Sequence, residues 1–125
     1  MDKFEIKIGA ILFTLAIIFG AFGAHALKEL VSVQSLNTFE VAVRYQFYQA
    51  LAFLILGFGK EKFGFSSRAI SIGMLVGLSL FCGSIYGIAL KELLPFPVAF
   101  LGPITPIGGV VLIFSWVVLL TKIYK

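Results

Sequence analysis

Cysteine and histidine are almost absent from this sequence, whose 125 residues include one of each, Cys82 and His25. A single cysteine excludes an internal disulfide bond and any redox relay between two cysteines. Because a zinc site takes about three or four protein ligands, one subunit cannot build such a site from its histidine and cysteine alone. We therefore expect neither a metal site nor a cofactor.

Charged residues are also scarce, at 13% of the chain, and they fall into short zones. The zones are residues 2–7, 28–44, 60–68, 91–92 and 122–125. The uncharged stretches between them contain no carboxylate, since Glu40 and Glu92 lie at their ends, so the intramembrane acid of a typical cation-coupled exporter is missing. The sequence also lacks a carboxylate pair or a supported nucleophile, because a buried cysteine such as Cys82 is normally inert. These absences predict a protein that is not an enzyme.

Long hydrophobic stretches make up most of the sequence. Hydrophobic residues make up 60% of the chain and the mean hydropathy is +1.07, outside the range of soluble globular proteins. A helix needs about 20 apolar residues to cross a bilayer, and four uncharged stretches approach or exceed that length. Asn37, with Glu40 three residues later, resembles a capping box and predicts that the second helix begins near Thr38. We predict an all-α membrane protein, a single domain of four transmembrane helices in one bundle, with spans at about 6–27, 38–59, 69–90 and 105–123.

The fourth span is preceded by a Pro/Gly-rich irregular segment, "LGPITPIGG" at residues 101–109. Each proline removes a backbone donor, and hydrocarbon offers no water to replace it. Thr105 followed by Pro106 resembles an N-cap with proline at the first helical position, which predicts a helix from Pro106 to about Ile123. The alternative is one long kinked helix from Pro97, which at about 40 Å would need a strong tilt.

The basic residues predict the topology. The two termini and the middle loop share seven of them, whereas the opposite side holds three, Lys28, Arg44 and Lys91. The positive-inside rule then places both termini in the cytoplasm. We expect no cleavage at the signal-like stretch Ala24-His25-Ala26, because the apolar run before it is longer than a usual signal core. The loops after the first and third spans thus form the predicted outer end, and the opposite end is the predicted inner end.

Small residues predict close helix packing. The third span carries a stripe of Gly73, Gly77, Leu80, Ser84 and Gly87, and the first span carries a stripe of Ala16, Gly20, Gly23 and Ala24. Because small side chains let backbones approach, we expect the first and third spans to touch.

Polar side chains gather in the outer half of the predicted bundle, where they can satisfy the backbone that the prolines leave unpaired. The candidate ligand-binding polar cluster consists of His25, Arg44, Tyr45, Gln46, Gln49, Ser84, Tyr86 and Thr105. Each has a simpler structural role as well. His25 fits a hydrogen bond to Gln46, Gln49 or Tyr86 on a neighbouring helix, and Arg44 fits an ion pair with Glu40, four residues earlier.

Four stretches of this sequence resemble one family. "GAFGAHALK", "FEVAVRYQFYQALAFLILG", "LFCGSIYGIAL" and "LGPITPIGG", followed by Trp116, are similar to the domain of unknown function 423 family, small bacterial inner-membrane proteins of the YgdD type. The resemblance spans nearly the whole chain and implies a four-helix membrane protein with no established activity. Its recurring motif residues correspond here to Gly20, Gly23, His25, Arg44, Tyr45, Gln46, Tyr48, Gly83, Ser84, Tyr86, Pro106, Gly108 and Gly109.

One position departs from the family pattern, because Gln49 stands where the family usually has histidine. A proton relay or metal site built on that histidine with His25 is therefore not expected here, whereas a hydrogen-bonding role survives the change.

The expected function is that of a small multi-pass protein of the bacterial inner membrane that binds a lipid or small molecule at its polar cluster, or supports another membrane protein. The alternative is a small oligomeric transporter or channel for an anion or neutral solute. Expected partners are the lipid bilayer, such a ligand and further copies of the chain. The net charge of +4 is explained by topology and does not indicate nucleic-acid binding.

Overall fold

Four long helices make up most of the structure, a computed structural model that describes residues 3–124. They are α1 (Phe4–His25), α2 (Val33–Gly59), α3 (Arg68–Ala89) and α4 (Ile104–Tyr124), and short 3-10 turns lie at Leu27–Glu29, Lys60–Lys62 and Ala99–Leu101. Each long helix is long and apolar enough to cross a membrane, and residues 3–124 include no β-strand. The prediction of an all-α protein with four membrane-spanning helices is confirmed.

The helices follow one another in space as they do along the chain. α1 packs along α2, α2 along α3, and α3 along α4. α2 and α3 therefore form the centre, where Phe53 and Met74 are fully buried, while α1 and α4 flank them. Much of the apolar surface of the two flanking helices is exposed, as expected for helices that face lipid.

The start of α2 differs from its prediction, because the helix begins at Val33 and not near Thr38. The Ser32 hydroxyl caps it by accepting a hydrogen bond from the Ser35 amide at 3.1 Å. The Glu92 carboxylate, from the α3–α4 connection, accepts bonds from the Ser32 amide at 2.9 Å and from both serine hydroxyls at 2.9 and 2.6 Å. These bonds lower the pKa of Glu92, and its negative charge also suits a helix N-terminus.

The small-residue stripes pack against different helices from those predicted. A Cβ atom placed on Gly73 would lie 2.6 Å from the Ser115 hydroxyl, and one on Gly77 would lie 2.8 Å from the Leu112 amide nitrogen, so the α3 stripe faces α4. The α1 stripe faces α2, with Gly23 against the Phe39 ring. A small-residue stripe marks where a backbone approaches closely but does not name the partner. α1 and α3 do touch, but through larger side chains outside these stripes, such as Phe19 of α1 and Tyr86 of α3.

The segment between α3 and α4 is irregular, as predicted, with the Ala99–Leu101 turn inside it. α4 begins at Ile104, so the prediction of Thr105 as the N-cap is wrong: Thr105 lies within the first turn. Pro106 is tolerated there because the first amides of a helix have no intrahelical acceptor. No helix extends from Pro97, which contradicts the long kinked alternative.

Candidate functional site

Gln46 is the centre of a buried hydrogen-bond network near the middle of α2. Its side-chain amide nitrogen donates to the Leu12 carbonyl at 2.8 Å, and its amide oxygen accepts from the Tyr86 hydroxyl at 2.7 Å. The Tyr86 ring receives the edges of Phe19 and Phe39, at centroid distances of 5.3 and 5.1 Å. These contacts join α1, α2 and α3, so Gln46 and Tyr86 hold the bundle together and are not free for a ligand.

Ser84 and Thr105 form a second polar contact, this time between α3 and α4. Their hydroxyls share a hydrogen bond, and Thr105 also lies 3.5 Å from the Leu101 carbonyl. The polar partner of the proline-interrupted segment is therefore Ser84 on the adjacent helix. The partners expected for this segment were instead His25, Gln46, Gln49 and Tyr86, and the side-chain hydrogen bonds of the last three go elsewhere.

His25 and Arg44 lie apart from both contacts. His25 is exposed at the end of α1, and its side chain forms no hydrogen bond with any residue that the structure describes, so the predicted bond to α2 or α3 is not present. Arg44 and Glu40 are both exposed and, within residues 3–124, neither forms an ion pair, contrary to the predicted pairing. Both line a cavity of about 230 Å³ between α1 and α2, beside Gly20 and Gly23.

Gln49 lies deeper than predicted. Its side-chain amide nitrogen donates to the Met74 sulfur at 3.2 Å, and its amide oxygen accepts from the Trp116 indole at 3.2 Å. Met74 belongs to the inner half of α3, so Gln49 is closer to the middle of the bundle than to the predicted outer end. The eight predicted residues are thus distributed over several contacts and do not form one cluster.

A groove between α2 and α4, with α3 as its floor, has enough volume to hold a ligand. It has a volume of about 740 Å³, and its walls include Tyr45, Tyr48 and Gln49 from α2, Phe81 from α3, and Gly109 and Trp116 from α4. Tyr45 and Tyr48 are 44% and 62% exposed, so the groove opens sideways, toward the membrane. The Tyr45 ring packs against Tyr48 and Phe81, at centroid distances of 5.8 and 5.0 Å.

Glycine explains why this groove has room. A Cβ atom on Gly109 would lie 3.6 Å from the Phe81 ring, which is ordinary contact, so any longer side chain there would enter the groove. At Gly108, one residue earlier, a Cβ atom would instead meet the α3 backbone at Phe81. One glycine thus brings α4 close to α3, and the next keeps the space beside α2 open.

A buried carboxylate joins three parts of the chain at the predicted inner end. Glu5 is 0% exposed, and its carboxylate accepts bonds from the Lys60 ammonium at 3.0 Å and from the Ser67 and Ser71 hydroxyls at 2.9 and 3.0 Å. Because α1 begins at Phe4, Glu5 lies in its first turn, and the sequence-based assignment of this residue to a charged zone outside the spans is corrected.

Comparison with known proteins identifies the family. A sequence profile described as "Protein of unknown function (DUF423)" matches residues 19–109. The chain belongs to the DUF423 family. The UPF0382 membrane protein YwdK of Bacillus subtilis strain 168 is 34% identical over an alignment of 125 residues that covers 98% of each chain. The UPF0382 membrane protein SAB0533 of Staphylococcus aureus strain bovine RF122 / ET3-1 is 35% identical over 123 residues, 98% of this chain and 97% of the relative.

These comparisons confirm the resemblance seen in the sequence and show that this DUF423 chain is a membrane protein. No solved structure matches the chain. The names of its relatives describe membrane proteins and give no ligand, substrate or partner. They do not point to catalytic activity.

The geometry of the DUF423 chain offers little for catalysis. Within residues 3–124, no three His, Cys, Asp or Glu side chains are grouped so that they could hold a metal ion. Cys82 is buried, and its thiol donates to the Ala42 carbonyl at 3.4 Å. His25, the one histidine of the sequence, is exposed at the predicted outer end.

Sequence reasoning missed Glu5 and most of the groove in this DUF423 protein. Tyr48 and Trp116 were noted only as part of the family motifs, because nothing in a single sequence shows that α4 leaves a gap beside α2. The Gly108-Gly109 pair was the available signal, since adjacent glycines in a membrane helix indicate an unusual packing requirement.

Proposed function

We propose that this DUF423 protein is a non-enzymatic lipid-binding membrane protein that takes one acyl chain into the groove between α2 and α4. The groove itself carries the proposal. Its volume of about 740 Å³ falls within the roughly 300–1,000 Å³ of small-molecule sites, and its walls are apolar apart from two tyrosine hydroxyls, the Gln49 amide and the Trp116 indole N–H. It opens toward the side of the bundle, where lipid chains would surround the protein.

An apolar occupant fits the groove better than a polar solute. The one amide in its wall, Gln49, already donates to Met74 and accepts from Trp116, so it offers little to an anion or sugar. Gln46 and Tyr86 are likewise paired with each other. The alternative of an anion or neutral-solute transporter would need polar groups facing a path, and these side chains are used between helices.

The topology that we propose keeps both termini in the cytoplasm of a bacterial cell, with the protein in the inner membrane. The excess of basic residues at the termini and middle loop supports it. Reporters fused after Lys125 and within residues 60–68 are expected to be cytoplasmic. An extracytoplasmic signal from either fusion would contradict the proposed topology.

Trp116 provides a direct test, because it is the only tryptophan in the sequence and it lines the groove. We would measure its fluorescence in nanodiscs that contain increasing mole fractions of a lipid with brominated acyl chains. A bound chain predicts a quenching component that saturates at a low mole fraction, whereas ordinary lipid contact follows the bulk composition.

The variant Gly109→Leu places a side chain in the groove and is expected to abolish the saturating component. Gly83→Leu is the matched control, because it adds the same side chain to an exposed position where a Cβ atom has no neighbour within 4 Å. If quenching in the wild type follows the bulk mole fraction, or if the two variants behave alike, the groove is not a lipid site.

A further inference from the structure

Glu40 and Arg44 are opposite charges on the same exposed face of α2, one helical turn apart. Both line the 230 Å³ cavity beside Gly20 and Gly23 of α1. The order of glutamate before arginine at this spacing favours an ion pair on a helix, yet the two side chains are not paired with each other or with any other residue of the described chain. They are therefore available to a molecule outside the chain.

The two charges lie at different distances from the predicted outer end of the bundle. The Cys82 thiol donates to the Ala42 carbonyl, so Ala42 of α2 lies beside Cys82 of α3. Cys82 is about 10 Å along the α3 axis from the end of that helix at Ala89. A bare cation at such a depth is costly, so Arg44 needs a counter-charge. Glu40 lies about 6 Å closer to the predicted outer end.

This order of charges matches one kind of lipid headgroup. A phospholipid that carries an amine beyond its phosphate places positive charge outermost, negative charge next, and its acyl chains deepest. Arg44 would bind the phosphate, for which a guanidinium fork is well suited, and Glu40 would bind the amine. A headgroup with a phosphate but no amine would meet an uncompensated carboxylate at Glu40.

The headgroup cavity lies between α1 and α2 and the acyl-chain groove between α2 and α4, and the exposed side chains of Arg44 and Tyr48 lie on the α2 surface between them. Glu40, Arg44 and Tyr48 follow at intervals of four residues, which places them along one face of the helix. Tyr48, the deepest of the three, lines the groove between α2 and α4. One molecule could therefore place its headgroup at Arg44 and its chain beside Tyr48.

We infer that Glu40 and Arg44 bind the headgroup of a phospholipid with an amine beyond its phosphate, whose acyl chain occupies the groove between α2 and α4. This inference rests on the proposed function, because it assigns the headgroup of the lipid that the groove holds. It adds a preference among lipids that the apolar groove alone would not give.

The test compares brominated phosphatidylethanolamine with brominated phosphatidylglycerol in the Trp116 quenching assay. A charged hydrogen bond supports a preference of about tenfold for phosphatidylethanolamine in the wild type. Arg44→Gln is expected to weaken the binding of both lipids. Glu40→Gln is expected to remove the preference by weakening phosphatidylethanolamine and strengthening phosphatidylglycerol. Lys28→Gln and Glu29→Gln, exposed charges at the same end, serve as controls.

The possible failures are distinguishable. Saturating quenching that depends on Gly109 but shows the same lipid ratio in wild type and Glu40→Gln overturns the headgroup inference and leaves the groove intact. Absence of saturating quenching for every lipid overturns the proposed function. Native mass spectrometry of the co-purified lipids then tests the headgroup site separately. A lipid profile that is unchanged in Arg44→Gln and Glu40→Gln overturns the headgroup inference as well. A loss of dimer in these variants, with lipid binding unchanged, would identify the face as a contact between two copies of the chain.

Discussion

Replacement of Glu5 by alanine is expected to destabilise the bundle more than any other change of a charged side chain at the predicted inner end. The carboxylate is fully buried and accepts hydrogen bonds from Lys60, Ser67 and Ser71. Its loss would separate the start of α1 from the end of α2 and the start of α3. The two serines are themselves 0% exposed, so water would not readily replace the carboxylate.

The magnitude follows from the number of contacts and their exposure. Three hydrogen bonds at about 0.6 kcal/mol each, the average within membrane bundles, give a lower figure of about 2 kcal/mol. Removal of one partner from a buried ion pair costs about 3–5 kcal/mol, but Lys60 is 23% exposed and can turn toward water, which reduces that figure. We therefore expect Glu5→Ala to lower the free energy of unfolding by about 2–4 kcal/mol.

The assay is reversible unfolding in mixed micelles with increasing SDS, followed by Trp116 fluorescence. Glu61→Gln is the control, because this glutamate is exposed at the same end and its change is expected to stay within about 0.5 kcal/mol. Lys60→Met combined with Glu5→Ala should destabilise less than the sum of the two single changes. If Glu5→Ala has no larger effect than Glu61→Gln, the carboxylate does not join the three helices as described.

Three further outcomes are expected. Tyr86→Phe should lower the unfolding free energy by about 0.6–1.7 kcal/mol, because the buried amide oxygen of Gln46 loses its donor. Tyr48→Phe, at an exposed position, should not lower it, and equal effects would contradict the hydrogen-bond network around Gln46. Gly77→Leu should destabilise by about 1–3 kcal/mol or more because the new Cβ atom meets the α4 backbone, with Gly83→Leu as an open control in the same SDS assay. Because hydrogen bonds hold the pKa of Glu92 below its ordinary 4.5, its contribution to stability should be present above that pH and be lost as the pH falls through the lowered value. Glu92→Gln should flatten this acid dependence, and an unchanged profile would argue against the serine contacts.

The number and approximate positions of the helices could be predicted from the sequence, because bilayer thickness fixes how long an apolar stretch must be. The start of α2 could not, since the carboxylate that supports its cap comes from Glu92, 60 residues away from Ser32. The capping-box pattern at Asn37 and Glu40 was misleading because such local patterns also occur inside helices.

The candidate site was less predictable than the fold. Gln46 and Tyr86, both expected in one polar region, are hydrogen-bonded to each other, since buried polar groups in a membrane need partners. The depth of Gln49 and the isolation of His25 depend on helix rotation, which hydropathy does not determine. Glu5 was missed for a related reason, because a charge at the first turn of a span is indistinguishable in sequence from one in the adjoining terminal segment.

The Glu5 contacts have a consequence for biosynthesis. Lys60, Ser67 and Ser71 follow Glu5 by 55, 62 and 66 residues, so they leave the ribosome well after the first helix has formed. Until the second and third helices are inserted, the newly made first helix carries an unneutralised carboxylate at one end. This charge favours a position of that end near the membrane surface. Insertion of the α2–α3 hairpin would then supply the partners of Glu5 and fix the first helix at its final depth. Correct insertion of the first helix is therefore completed only after the middle of the chain has entered the membrane.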